Sequence, residues 1–198
     1  KLFYYLIRIF DRQTERKIQD KICGLLKNKI EILIDVGFYL GEYYENLIKK
    51  ISIKNALGFE PNPETFKIVE KKFSKNKNVK ILNFALGNIK STKQFNLNLE
   101  PSSSSFNLID YSSSYFKRKN KILNFFGFNK KIQSKNMKIE TLFDVFNEYN
   151  LNDIDLLKID TEGYEYNILL GIKDKIQNIK IIHFEHHYDN MLIKNYKI

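Results

Sequence analysis

The stretch Glu31–Gly41, with the sequence EILIDVGFYLG, decides the fold of this chain. Its first half is an apolar run, which is typical of a strand buried on both faces of a parallel sheet. Gly37 and Gly41 then predict a turn that lets the backbone approach a ligand and that opens into a helix over roughly Glu42–Lys50. Asp35 near the strand end would meet an ammonium group, so the loop suits an amino-acid-like moiety that carries both charges.

The spacing of the two glycines separates two kinds of cofactor. A dinucleotide-binding loop requires G-x-G-x-x-G, whereas this chain has D-x-G-x-x-x-G. That pattern resembles the first motif of class I S-adenosylmethionine (SAM) methyltransferases. An ordinary strand–turn–helix is the alternative when the motif is taken alone.

Length, charge and cysteine usage limit the remaining possibilities. The chain has 198 residues, of which 43% are hydrophobic, as expected for one globular domain with a real core. A net charge of +10 is compatible with nucleic acid, a membrane surface or an acidic glycan as partner. The lysines are scattered and no nucleic-acid-binding module is recognised, so nucleic acid is not favoured as a partner.

The single cysteine cannot form an internal disulfide, which fits a reducing compartment, and we expect a cytoplasmic location.

Residues 1–28 are predicted to form one or two helices, because their apolar residues recur at close to helical period. We interpret them as a helical lid packed on one end of the sheet. The aromatic and basic residues at the start also fit weak contact with a membrane surface, although the stretch is too short to span a bilayer.

The second predicted strand, Asn55–Glu60, ends in an acid. An acid about 20 residues beyond a glycine loop is well placed to accept hydrogen bonds from ribose hydroxyls. Asn62 and Pro63 then predict a capped helix start, and the helix is expected to run to about Lys75. The alternative for Glu60 is a solvated carboxylate with no ligand.

The middle of the chain is less regular. A third strand is predicted over Lys77–Phe84, and Ala85 after it would fit an adenine slot. Residues 91–99 alternate as a further strand. Residues 100–136 are rich in serine, aromatic residues and lysine, which predicts an insertion that acts as a lid or binding loop, with a solvated mobile loop as the alternative. Met137–Ile139 is expected to be a short extended piece.

Two more buried strands are predicted near the end, Ile154–Ile159 and Lys180–Glu185. Strands that alternate with helices predict an α/β fold with a mainly parallel, doubly wound sheet and flanking helices. Such sheets bind ligands beyond the carboxyl ends of their strands. Four acids occupy predicted strand ends, namely Asp35, Glu60, Asp160 and Glu185. Their convergence on one edge is the main argument from the residues for a functional site.

A family resemblance joins these motifs. IDVGFYLG, GFEPNP, NFALGN, MKIETLFDVF, LLKIDTEGYE and IIHFEHH, in this order, resemble the FkbM-type methyltransferases over about Glu31–Glu185. The resemblance implies a Rossmann-like fold in residues 29–198, SAM as methyl donor, and usually O-methylation of a hydroxyl on a sugar, glycan or other small metabolite. Such folds usually close the sheet with two more strands, so we expect C-terminal truncation or donation of strands from the middle insertion.

The resemblance also implies site residues by position. Asp35, Gly37 and Gly41 would hold the methionine part of SAM, Glu60 its ribose with Pro61 and Asn62 beside it, and Asn83 and Ala85 its adenine. Phe38 also lies in this loop, where the family commonly has alanine, and we expect its bulk to tighten the loop. Asp160, Glu162 and Glu185 would face the reacting end.

Methyl transfer from a sulfonium is an in-line displacement that needs alignment and the exclusion of water, and a weak hydroxyl nucleophile benefits from a base. We favour Asp160 or Glu185 as that base or its orienting partner, with His186 as the third choice. Acids and histidines also fit a divalent ion, but no compact ligand spacing is visible, so we assign no metal site.

Two other classes remain open from the sequence. An NAD-dependent oxidoreductase would share the sheet and the ribose acid, although the glycine spacing argues against it. A degenerate module that binds SAM without turnover would keep the fold. The sequence does not define the acceptor or the oligomeric state.

Overall fold

The fold follows from a computed structural model that describes residues 2–27, 29–97, 104–107, 112–114, 117–118, 121 and 133–184, with side chains from residue 14 onward except that of residue 133. The helices are α1 (Leu2–Leu26), α2 (Glu42–Leu47), α3 (Pro63–Phe73), α4 (Leu142–Glu148) and α5 (Glu165–Leu170), with a 3-10 helix at Lys173–Asn178. The strands are β1 (Lys29–Val36), β2 (Ser52–Phe59), β3 (Val79–Leu82), β4 (Ala85–Gly87), β5 (Ser91–Leu97), β6 (Gln133–Thr141), β7 (Ile154–Ile159) and β8 (Ile179–Phe184).

Five strands form a parallel sheet in the order β3-β2-β1-β7-β8. This confirms the predicted mainly parallel α/β fold with flanking helices. The chain leaves β1 toward β2 and β3 on one side and returns to β7 and β8 on the other. The carboxyl ends of β1 and β7 therefore flank a topological switch point, which is where open α/β sheets form their ligand crevice.

A second, three-stranded sheet has the order β4-β6-β5. Here β6 pairs with β4 in parallel and with β5 in antiparallel register. The short extended piece predicted at Met137–Ile139 is wrong in length, because the register with β5 extends the strand over Gln133–Thr141. Within the described residues, the strands beside the middle segment form their own sheet, so they do not extend the five-stranded one as we had considered.

The carboxyl-terminal half of α1 packs on one face of the main sheet. Ile22 is buried in the same apolar cluster as Leu33 of β1, and Lys50 Nζ donates to the Arg16 carbonyl at 3.0 Å. Residues 1–28 were expected to hold one or two helices, and the structure has a single one. Of the helices that the structure describes, none combines the length and the apolar composition that crossing a membrane requires.

Helices α4 and α5 cover the opposite face. Leu142 and Phe146 of α4 and Ile168 of α5 are buried against Ile34 of β1 and Leu157 of β7. Because both faces of β1 and β7 are covered, most of the central positions in these strands are apolar. The same burial makes each polar residue within them informative about the site.

Candidate functional site

A cleft of about 180 Å³ opens at the carboxyl ends of β1, β2 and β7. Its lining from the ends of β1 and β2 includes Gly37, Tyr39, Glu60 and Pro61, and β4 adds Ala85 and Leu86. The loop after β7 contributes Asp160, Thr161, Glu162 and Tyr164. Phe95, Ser104 and Phe106 complete the lining. The cleft therefore lies at the switch point that the strand order defines.

Gly37 is where the loop after β1 meets the loop after β7. Its φ is +81°, and a Cβ on it would lie 1.8 Å from the carbonyl oxygen of Asp160. Its N–H donates to the Phe59 carbonyl at 3.1 Å. The missing side chain therefore lets two backbone segments touch directly beneath the cleft, which no other residue type permits.

The side chain of Phe38 does not tighten the cofactor loop, contrary to our expectation. It is 2% exposed and packs edge-on against Phe73 at 5.6 Å. Two glycines make room for it, since a Cβ on Gly58 would lie 2.5 Å and one on Gly41 2.9 Å from the Phe38 ring. Phe38 and Gly41 thus stabilise the floor under the loop, and neither lines the cleft.

Glu60 is the acid that faces the cleft from the end of β2. Its Oε2 accepts from the Tyr39 N–H and its Oε1 from the Asn62 N–H, each at 2.9 Å. A carboxylate oxygen has two lone pairs, so both oxygens retain acceptor capacity for a ligand hydroxyl. Burial raises the pKa of Glu60 to about 7, although the two backbone N–H groups counteract this by favouring the ionised form.

Asn62 and Asn83 support the Glu60 loop without lining the cleft. Asn62 Oδ1 accepts from the Glu64 N–H at 3.0 Å and so caps α3. Asn83 Nδ2 donates to the carbonyls of Glu60 at 2.8 Å and Pro61 at 3.1 Å. The predicted ribose and adenine residues therefore divide into a lining group (Glu60, Pro61 and Ala85) and a supporting pair.

Asp35 does not face the cleft, which corrects the role expected for it. Its side chain is fully buried, and its Oδ1 lies 3.2 Å from Lys158 Nζ. Burial raises the pKa of Asp35, while the ammonium of Lys158 acts in the opposite direction. The ammonium that Asp35 meets therefore belongs to the chain itself and not to a ligand.

Lys158 is a site residue that the sequence reasoning missed. Its Nζ also lies 3.3 Å from Asp160 Oδ2 and 3.2 Å from the Gly37 carbonyl oxygen. Burial lowers the pKa of Lys158, but the carboxylates of Asp35 and Asp160 outweigh this and raise it above its ordinary value. The available signal was a lysine inside a strand predicted to be buried on both faces, since a buried ammonium requires acidic partners.

The loop after β7 brings Asp160 and Glu162 to the cleft. Glu162 and Gly163 both have positive φ, at +53° and +90°. The middle segment supports this conformation, because Ser105 Oγ donates to the Glu162 carbonyl at 2.8 Å and Asn107 Nδ2 to the Gly163 carbonyl at 2.7 Å. Part of the predicted insertion thus lies against the cleft.

An aromatic wall closes the same side. The Phe106 ring lies 4.8 Å from that of Phe95 and 5.0 Å from that of Tyr164. Lys93 Nζ donates to the Tyr164 hydroxyl at 3.0 Å. None of these residues was predicted to line the cleft. The alternation of residues 91–99 predicts a strand but not its neighbours, and Phe106 lies in a segment without a helical or strand period.

Glu185 and His186 lie outside the described residues, so their assigned roles stay predictions. Of the histidines, His183 is described, and its Nδ1 lies 3.1 Å from the Tyr43 hydroxyl. Burial lowers the pKa of His183, and the nearby Lys158 adds to this effect. Within the described part of the chain, no group of three or more His, Cys, Asp and Glu side chains could hold a metal ion.

A parallel sheet with an acid-lined cleft at its switch point defines the class of Rossmann-like α/β proteins. The sequence model described as "Methyltransferase FkbM domain" matches residues 35–195. The chain therefore belongs to the FkbM methyltransferase family, which confirms the resemblance that the motifs carried.

Two solved structures are similar to the chain. One is the methyltransferase FkbM from Methylobacillus flagellatus KT, with 13% identity and a TM-score of 0.43 over 72% of this chain and 28% of that one. The other is the precorrin 8W decarboxylase of Methanobacterium thermoautotrophicum, with 16% identity and a TM-score of 0.36 over 80% of this chain and 56% of that one. The chain thus spans less than two thirds of either protein. No curated protein matches its sequence.

Proposed function

We propose that this chain is a SAM-dependent methyltransferase that transfers a methyl group to a hydroxyl of a sugar, glycan or other small metabolite. Membership of the FkbM family supports methyl transfer. The observation that carries the choice of cofactor is the Glu60 carboxylate, which lines the cleft at the end of β2 with acceptor capacity on both oxygens. A carboxylate in this position suits the two hydroxyls of a ribose.

The rest of the lining fits the other parts of SAM. Pro61, Ala85 and Leu86 offer apolar surface beside Glu60, as an adenine ring requires. Asp160 and Glu162 on the facing loop supply negative charge, which suits a cationic sulfonium. These lining residues therefore suit SAM. Asp35 is paired with Lys158 and contributes no direct contact.

When bound, SAM supplies a methyl group that is activated by the positive charge on its sulfur. The chain's own residues have to orient the acceptor hydroxyl, exclude water and take up its proton. Asp160 is the first candidate to accept this proton, because its side chain lies on the cleft wall and is 39% exposed. Glu162 is the second described candidate, and Glu185 and His186 keep the roles expected for them from the sequence.

Isothermal titration with SAM and with NAD, in separate experiments, tests the cofactor. We expect SAM to bind and NAD not to bind, since the loop lacks the dinucleotide glycine spacing. E60Q is expected to weaken SAM binding by about tenfold or more, because it removes a charged hydrogen-bond acceptor. E64Q is the matched control, since Glu64 is 74% exposed on α3. Binding of NAD without SAM would contradict the proposal.

Turnover separates an enzyme from a module that only binds SAM. We expect methyl transfer to at least one member of a panel of monosaccharides and glycans when methyl-labelled SAM is supplied. D160N is expected to reduce that transfer while leaving the fold intact, and D174N on the 3-10 helix serves as a control remote from the cleft. SAM binding with no transfer to any acceptor would favour the degenerate module.

A further inference from the structure

Lys158 occupies an unusual position in the main sheet. In the register it stands beside Asp35 of β1 and His183 of β8, so the three form a polar row across adjacent strands. The Lys158 side chain is 8% exposed. Its Nζ donates to the Gly37 carbonyl at 3.2 Å and forms ion pairs with Asp35 Oδ1 at 3.2 Å and Asp160 Oδ2 at 3.3 Å.

Two of these three partners belong to the cleft wall. Gly37 is in the loop after β1 and Asp160 is in the loop after β7, so Lys158 links the two loops from beneath. The third partner, Asp35, is buried and offsets the charge of Lys158. The arrangement therefore fixes the position of two residues that line the cleft, Gly37 through its carbonyl and Asp160 through its carboxylate.

A second acid–lysine pair, between Asp155 of β7 and Lys180 of β8, provides a comparison. At the other end of the sheet, Asp155 lies 2.6 Å from Lys180 and accepts from the N–H groups of Glu31 and Ile32. Lys180 is 60% exposed, and neither member of this pair lines the cleft. It ties β1 to β7 and β8 without touching either loop of the site.

We propose that Lys158 is a positioning residue that holds the Gly37 turn against Asp160 and reduces the negative charge that this wall presents to a cationic ligand. The inference rests on the proposed use of SAM. Without the ammonium, the turn loses an anchor, so any ligand of the cleft binds more weakly. The Asp160 carboxylate also attracts a sulfonium more strongly when no cation lies 3.3 Å away.

The double variant D35N/K158M removes both members of the buried pair together and so avoids a buried unpaired charge. D155N/K180M is the matched control, since it makes the same substitutions at the pair outside the cleft. Both proteins and the wild type are titrated with SAM and with S-adenosylhomocysteine, which has the same shape but lacks the methyl group and the positive charge. Thermal unfolding measures the loss of stability in each.

We expect D35N/K158M to lose at least about fivefold in affinity for S-adenosylhomocysteine and less in affinity for SAM. The affinity ratio, defined as the affinity for SAM divided by that for S-adenosylhomocysteine, should therefore rise by about twofold or more. The control keeps the wild-type ratio. A ratio that is unchanged or lower, or affinities that equal those of the wild type, would overturn the inference, because a purely structural role changes both ligands equally.

The single variant D35N decides the question if the double variant does not fold. It keeps Lys158 but removes one of the two carboxylates that offset its charge, so the affinity ratio should fall by about twofold. An unchanged ratio contradicts the role of Lys158. Failure of the wild type to bind SAM at all would instead contradict the proposed function, so the two failures are distinguishable.

Discussion

The two walls of the cleft are supported from different distances along the chain. The first wall consists of the loops after β1 and β2, and it is held by backbone N–H groups that donate to the Glu60 carboxylate and to the Phe59 carbonyl. The second wall is the loop after β7. It is held from nearby by Glu165, whose Oε1 accepts from the N–H groups of Thr161 and Gly163 at 2.9 and 3.0 Å. It is also held by the side chains of Ser105 and Asn107, which lie 57 and 56 positions from the carbonyls they contact.

This difference determines how strongly a substitution in each wall affects the protein. The first wall depends on the absence of a side chain at Gly37 and on one acid, all within a short stretch of sequence. The second wall adds neutral hydrogen bonds from a distant segment to its ion pair and its own acid, and each such neutral bond contributes only about 1 kcal/mol. Loss of one of these neutral bonds should therefore have a smaller effect than a side chain placed at Gly37.

The largest effect is expected at the contact between the two walls. G37A should destabilise the fold by about 3 kcal/mol, because alanine is strained at this positive φ and its Cβ would collide with the Asp160 carbonyl. Chemical denaturation measures the free energy of unfolding. G24A in α1 is the control, since a Cβ there has open space and is expected to stabilise by up to about 1 kcal/mol. Equal stabilities for the two variants would refute the close contact.

The second largest effect is the pH dependence of SAM affinity, which depends on Glu60 in the first wall. Burial raises the pKa of Glu60 to about 7, and its ionised form is the stronger acceptor for ribose hydroxyls. SAM affinity should therefore rise by about tenfold between roughly pH 6 and pH 8, and E60Q should lose that part of the dependence. Titration of both proteins over this range checks the prediction, and identical pH profiles would contradict it.

Stability of the protein without ligand should change in the opposite direction. The folded state binds the Glu60 proton more tightly than the unfolded state, whose pKa is near the ordinary value of 4.5. This contribution to stability is fully present below that ordinary value and is lost as the pH rises through about 7. Thermal unfolding against pH should show a loss in the wild type that is reduced in E60Q, and equal losses would count against the raised pKa.

The smallest effect is expected in the second wall. S105A removes the hydroxyl that donates to the Glu162 carbonyl and should cost about 1 kcal/mol of stability. S74A is the control, because Ser74 also donates to a backbone carbonyl but lies exposed at the end of α3. Denaturant unfolding and SAM titration compare the two. A loss in S105A as large as that of G37A would remove the distinction between the walls.

The sequence predicted what local patterns encode. The apolar run of β1, the glycines after it and the acid at position 60 specify a strand, a turn and a strand end over short distances, and each lies where it was expected. Boundaries were less accurate: α2 ends at Leu47 and not near Lys50, and β3 is Val79–Leu82 within the predicted Lys77–Phe84. Helix ends depend on caps and packing that periodicity does not reveal.

The remaining features depend on contacts between distant residues. Lys158 was recognisable only as a lysine in an apolar strand, and its partners follow from the register of β7 with β1. Ser105 and Asn107 belong to no motif, so nothing in the local pattern connects them to the loop after β7. Phe38 was assigned to the cofactor from its position beside Gly37. The space for its side chain is instead created by Gly58, a neighbour in space from another strand.

The decisive experiment for the cofactor site is a crystal structure with bound S-adenosylhomocysteine. We expect ribose hydroxyl oxygens within hydrogen-bonding distance of the Glu60 carboxylate, with the adenine beside Pro61 and Ala85. A ligand that occupies another part of the protein, or whose ribose lies away from Glu60, would contradict it.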